Sequence, residues 1–296
     1  MKHKPRNGFT KKPLAIGIAA ALSMTLLTTA VNNVNAAIFE VGDVEISFDS
    51  TFSVGSSWRV EDRNWDDNIG KSNNANNGFD FTNYSLLDPT FQPSQETVWK
   101  GAGGYSTNGD NGNLNYNAGE SFSKILKGSH DLDIHYQNVG IFVRGMYYYD
   151  FAMMDNDRAW TNQLSGEMNN PCDDSEAKKQ VCTDVRLLDA YVYGDFDVGD
   201  MPLSIRVGQQ VISWGESTLI GHGISEINPV DIARLKAPGA ELKEAFIPFG
   251  AVWASLGVTE NFNIEAFYQY TWEKTVLPPP GSYFSTNDFA GDGGQY

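Results

Sequence analysis

From Val44 to Val60 the chain alternates with a period of two. The even positions carry Val44, Ile46, Phe48, Ser50, Phe52, Val54, Ser56, Trp58 and Val60, and the odd ones Glu45, Ser47, Asp49, Thr51, Ser53, Gly55, Ser57 and Arg59. Successive side chains of a strand point to opposite faces, so the run is an extended strand with one largely apolar and one polar face. Its length is the stronger constraint. Globular strands run about 5 or 6 residues, whereas a tilted strand crossing a bilayer needs about 9 to 11.

The pattern returns downstream. Leu132, Ile134 and Tyr136 alternate with Asp131, Asp133 and His135, and after a tight turn Ile141 to Phe151 alternate again. A second hairpin joins Leu188 to Val198 with Leu203 to Val207 through Gly199-Asp200-Met201-Pro202, and a third joins Val252 to Val258 with Phe262 to Trp272. About seven long strands result, and their connections alternate between long polar segments and short turns. Membrane barrels show this asymmetry, with short periplasmic turns and long external loops. Aromatics gather where the outward-running strands end, at Trp58, Tyr147, Tyr148, Tyr149, Phe151, Trp214, Tyr270 and Trp272, as an interfacial girdle would require.

The expected fold is therefore all-β: an antiparallel transmembrane β-barrel with long external loops and a short helical insert. Bacterial single-chain barrels have an even strand number, so seven strands would be the N-terminal part of a longer barrel. A competing architecture is an exported soluble β-sandwich that binds carbohydrate through its Tyr and Trp residues, although sandwich strands are shorter and their loops more even.

Export is read from residues 1–36. Lys2, Lys4, Arg6, Lys11 and Lys12 precede the apolar stretch Leu14 to Ala30, and Val34-Asn35-Ala36-Ala37 offers small residues for cleavage after Ala36. The alternative is a retained membrane anchor. Five of the 21 basic residues lie in this leader and none of the 37 acidic ones, so the mature portion, residues 37–296, is more acidic than the −16 of the whole chain. Clustered Lys and Arg for nucleic-acid phosphates are lacking. Outside the leader no segment offers the roughly 20 apolar residues of a membrane helix, so membrane entry would have to use strands.

The loop from Glu61 to about Glu120 is rich in Asn, Gly, Ser and Asp and is expected to be solvated, without a core of its own. Its spacing does not match a complete calcium loop. Cys172 and Cys182, ten positions apart in an exported chain, are expected to form a disulfide rather than a metal site.

Phase along the strands assigns Arg144, Asp150, Asp189, Asp195, Arg206, Gln210 and Glu265 to the polar face and hence to a barrel lumen. There a charge avoids the roughly 2 to 4 kcal/mol that an Arg or Lys costs on the lipid side. The phase becomes ambiguous after Gln210, because Ile212 and Trp214 fall on the polar side. Between the fifth and sixth strands, Asn228 is expected to cap a short helix with Pro229 at its first position, Asp231 favouring that N-terminus, and Pro238-Gly239 precede a second helical turn. Such a segment either bends into the lumen as a constriction, presenting Asp231, Arg234, Lys236, Glu241, Lys243 and Glu244, or caps the surface.

Enzyme signatures are weak. Ser213 lacks the first Gly of a nucleophile elbow and has no nearby His, and the His residues lack metal-ligand spacing, so no catalytic group and no cofactor is assigned. Five segments together carry a family resemblance: Ser53 to Arg63, Lys127 to Leu132, Arg206 to Ser217, Ile227 to Asp231 and Ala237 to Ala245. In order and spacing they resemble DUF1302, a family of Pseudomonas-type envelope proteins about twice as long. The resemblance implies an outer-membrane barrel of a Gram-negative bacterium, bounded by outer-membrane lipid. It also implies export partners in the envelope, because members are often encoded beside a lipoprotein-sorting-like protein and a resistance-nodulation-division transporter. The functional expectation is a channel or export component for small, including hydrophobic, solutes. A non-transporting surface or carbohydrate-binding protein is the alternative, and an outer-membrane hydrolase a distant third.

Overall fold

The computed structural model describes residues 37–82, 90, 93–161, 168–214 and 227–294. The basic leader and the processing site after Ala36 lie outside these, as do residues 215–226, which include Gly215 to Ser217 of the segment Arg206 to Ser217. Eight strands form one sheet in chain order, each antiparallel to the next: β1 (Ala37–Val41), β2 (Val44–Trp58), β3 (Ser121–Tyr136), β4 (Val139–Asp150), β5 (Thr183–Val198), β6 (Met201–Gln210), β7 (Phe249–Thr259) and β8 (Phe262–Gln269). Among the described residues β1 and β8 are its two edges. No described helix is long and apolar enough to cross a membrane.

Alternation predicted these strands well. β2, β3 and β5 reach 15, 16 and 16 residues. One strand more than the expected seven is present: β1 has only five residues, four of them apolar, too few to display a period, and it turns into β2 through Gly42 at φ +65°. Four two-residue turns, at residues 42–43, 137–138, 199–200 and 260–261, lie at one end of the sheet, and the long connections lie at the other. Gln137 takes the left-handed conformation in the second of these turns, at φ +54°.

The two faces differ sharply. Phe52, Val54 and Trp58 of β2, Ile141 of β4, Val192 of β5, Val252 of β7 and Tyr268 of β8 are exposed on one face, Val54 by 80% and Tyr268 by 72%. On the other face Lys127, Ser129, Met146, Tyr148 and Asp189 are buried. A bulge preserves this division: β5 pairs Ala190 with Val143 but Leu187 with Gly145, so Leu188 and Asp189 together oppose Arg144. The extra residue moves Arg186 onto the polar face opposite Met146 and leaves Val185 and Leu187 on the apolar one.

The long connections build a cap. Contrary to the expectation of a solvated loop, the first connection contains the helices α1 (Gln95–Lys100) and α2 (Asn111–Leu114) and buries Ile69, Leu114 and Tyr116. Its asparagines do this by replacing backbone pairing. Asn74 donates to the carbonyls of Trp65 and Ala102, and Asn77 donates to those of Lys71 and Ala102 while accepting from the Ala102 amide. Tyr116 packs with Met153 of α3 (Phe151–Met154) and with Cys182, which is disulfide-bonded to Cys172 across α4 (Ser175–Val181).

Gly208 sits between β5 and β7 at φ +142°, where an added Cβ would lie 2.4 Å from the Ala190 carbonyl oxygen. Gly208→Ala is expected to destabilise the sheet by about 1–3 kcal/mol, read as a lower urea midpoint for loss of folded-form gel mobility.

Candidate functional site

The polar face of the sheet carries a graded series of side-chain contacts from the two-residue turns to the cap. Nearest the turns, Tyr193 donates to Asp133 at 2.7 Å and lies 3.2 Å from His135 Nδ1. One row further, cross-strand partners Asp131 and Arg144 form a bidentate pair at 2.7 and 2.8 Å, and the remaining Arg144 nitrogen reaches Asp189 at 3.3 Å. Asp189 also accepts the Val211 amide at 3.1 Å, which fixes the chain as it leaves β6.

The other predicted polar-face residues behave differently from one another. Arg206 lies over the rings of Tyr191 and Trp253, 5.6 and 4.8 Å from their centroids. Asp195 accepts from Ser204 at 2.5 Å, and exposed Glu265 accepts from Asn263 at 3.4 Å. Gln210 is buried and donates to the Ala251 carbonyl at 2.9 Å, so it ties β6 to β7. Asp150 presents no free charge. It is buried, accepts from Ser123 and from the Lys124 amide, and caps α3 through the amides of Ala152 and Met153.

The insert between β6 and β7 lies against this face at its cap end. Its helices are α5 (Ile232–Leu235) and α6 (Leu242–Ala245). The expected cap, Asn228, is corrected: Asp231 caps α5 by accepting the Arg234 amide, while Asn228 exchanges hydrogen bonds with the backbone of Ile212 at 3.0 and 2.6 Å. That exchange explains the ambiguous phase after Gln210. Ile212 leaves the ladder and packs with Phe249, Ala251, Trp214, Trp253 and Phe267.

Glu244 meets Lys127 of β3 in an ion pair whose side chains are 5% and 4% exposed, and Lys127 also donates to the Gly239 carbonyl. Asp231 accepts from Arg186 at 3.3 Å, and the Arg234 guanidinium stacks 3.4 Å above the Tyr148 ring. Burial lowers the pKa of Arg234, and neighbouring Arg186 adds to that effect. Lys236 lies 5.3 Å over Phe284, and Glu241 pairs with Lys243 at 3.1 Å near the surface. Lys127 and Arg186 escaped the sequence reading for physical reasons. Ile125 is buried on the polar face and Lys124 is exposed opposite, which breaks alternation before Asp131, and the β5 bulge inverts the phase at Arg186.

The cap holds a second polar junction. Asp288 of the tail accepts the amides of Asp110 and Asn111, and Asp110 accepts from the Gly70 amide and Asn73. Both carboxyls are pushed up from 3.8 to about 6 by desolvation, with Asp288 adding to the rise at Asp110. Among the described residues no group of three or more His, Cys, Asp or Glu side chains is arranged to hold a metal ion.

Two outcomes follow from these contacts. Glu244→Gln leaves a buried ammonium uncompensated and is expected to cost roughly 3–5 kcal/mol, seen as protease cleavage within residues 227–247, whereas Lys127→Met with Glu244→Leu recovers most of the protection. The raised carboxyls mean that the docked tail binds protons more tightly than the free one. Docking is thus strongest below the ordinary carboxylate range and weakens as the pH rises through about 6. Exchange protection corrected for intrinsic rates should fall across that interval in residues 108–115 and 282–288, and Asp288→Asn should flatten the dependence.

No curated protein and no solved structure matches the chain. The model of one family, described as a protein of unknown function (DUF1302), matches residues 17–296, and the chain belongs to that family.

Proposed function

We propose that this chain forms part of an outer-membrane β-barrel whose polar face lines a passage for small, including hydrophobic, solutes, with the insert narrowing that passage. The observation that carries the reading is the division of the sheet: large apolar side chains are exposed along one face while ion pairs and buried polar groups occupy the other. Water-soluble sheets cover their apolar face, and continuous apolar surface on this scale fits lipid. Six of the strands, from 10 to 16 residues, also meet the length that a tilted bilayer crossing requires.

The passage reading rests on the insert. Lys127, Arg186 and Tyr148 belong to three successive strands, and each holds a residue of the segment 231–244 over the polar face. A loop held in this way would obstruct the mouth of a barrel: Asp231, Arg234 and Glu244 are buried as its anchors, and Lys236, Glu241 and Lys243 remain accessible on it. Export partners in the envelope would deliver solute from the turn end, where the Arg144 cluster lies.

Two measurements on the full-length protein test the proposal. A folded barrel migrates anomalously on gels until boiled. Val54→Arg, placing a charge on the lipid face at a cost of roughly 2–4 kcal/mol, should reduce that folded form. In planar bilayers, replacing residues 227–247 by a short Gly-Ser linker should raise single-channel current. Absence of heat-modifiable migration overturns the barrel, and unchanged current overturns the constriction.

A further inference from the structure

The apolar face of the sheet carries a histidine. His130 of β3 pairs across the ladder with Ser50 of β2 and Gly145 of β4, in register with the apolar positions of all three strands. Phe48 stacks on its ring at 5.6 Å between centroids, Phe52 meets it edge-on at 5.7 Å, and Tyr147 lies at 5.6 Å. Phe48 and Phe52 are 40% and 52% exposed, so this group of rings faces outward. Its depth is set by the strand. From Tyr136, at the turn end of β3, the chain advances to His130 by about 3.4 Å per residue on a strand tilted by about 40°, which places the imidazole roughly 15 Å from that end and near the middle of an apolar band about 25 Å tall.

Two polar groups of the patch are left with something to bond. Ser50 Oγ lies 2.8 Å from His130 Nδ1, but the other ring nitrogen, Nε2, has no hydrogen bond among the described residues, and neither has the hydroxyl of Tyr147. Both side chains are partly exposed, and neither atom is sealed inside the protein. Hydrocarbon offers such groups no partner, and each one left unsatisfied there costs several kcal/mol. An ionisable ring at this depth therefore marks a contact. The surface beside it is open to close approach: a Cβ added at Gly145 would meet nothing nearer than the Arg186 carbonyl oxygen at 3.7 Å. The Tyr147 ring lies across Gly128, one ladder pair nearer the cap than His130.

We infer that this patch on β2, β3 and β4 receives a second copy of the chain, the two copies being related by a two-fold axis along the membrane normal, with Tyr147 of each bonded to His130 Nε2 of the other. The polar groups select this occupant. Lipid tails carry no hydrogen-bonding group, whereas a second copy inserted in the same membrane brings the missing partners to the same depth. A phenol hydroxyl both donates and accepts, so it satisfies Nε2 in either tautomer of the ring. A two-fold contact makes the bond twice, because each surface carries both halves of it. The inference rests on the barrel reading for the hydrocarbon that surrounds the face, and it adds to that reading the interface between barrels.

Sedimentation equilibrium of the full-length protein in neutral detergent micelles tests this. A dimer is expected. His130→Leu and Tyr147→Phe each remove both bonds and should raise the dissociation constant by about tenfold, and the double variant should be no weaker than either. The decisive arm mixes the two single variants. A mixed pair keeps one bond, from Tyr147 of the first variant to His130 of the second, so it should associate several-fold more tightly than either variant with itself, an outcome that a merely structural role for these side chains does not produce. Both replacements are apolar on an apolar face, and heat-modifiable gel migration checks that each variant folds. A monomeric wild type, a dimer that neither variant weakens, or a mixture no tighter than its components overturns the inference. A monomer that retains a lipid or solute lost in His130→Leu overturns it in favour of that occupant. Heat-modifiable migration by a monomer contradicts only the pairing, and a dimer without such migration contradicts only the barrel.

Discussion

With Lys124 as the exception, the Asp, Glu, Lys and Arg side chains of the strands share one face of the sheet, and that grouping organises the contacts around it. A charged side chain buried on that face finds its counter-charge across the strand or from a segment laid over the face. Arg144 uses the first solution with Asp131 and Asp189, and Lys127 uses the second with Glu244. The insert is thus held by the same requirement that sets strand phase. Removing the charges in pairs costs less than removing either one, because the uncompensated partner carries the larger penalty.

The cap follows a different rule. Its first connection has little apolar content, and its order comes from amide side chains that stand in for missing backbone partners, as Asn74 and Asn77 do around Ala102. The apolar contribution is small and shared: Tyr116 from the first connection, Met153 from the second and Tyr283 from the tail meet in one cluster. None of these segments would bury the cluster alone.

Much of the fold was legible in the sequence because period two is a property of the backbone, and long alternating runs such as Val44 to Trp58 leave few other conformations. Legibility failed where a local event altered the period. The β5 bulge concealed Arg186, buried Ile125 broke the pattern ahead of Lys127, and five-residue β1 was too short to show any period. Of the candidate site, the pair Arg144 and Asp189 was readable from phase, whereas Asp150 was not: a carboxylate at a strand end is equally placed to cap the helix that follows. Asn228 was misread as a cap for a related reason. Its side chain imitates a strand partner for Ile212, and composition alone does not distinguish the two uses.

Four of the seven strand pairings close over two-residue turns, but Asp288 meets Asp110 across 178 positions of chain. Contacts of such separation form only after the intervening loops have been ordered, since closure entropy opposes them until neighbouring contacts compensate. The cap, which draws on three connections and the tail, therefore rests on the most distant contacts of the chain. The tail acts as a clasp: through Asp288 it joins the first connection to the chain that follows β8, so the two ends of the described sheet are tied to each other outside the strand ladder.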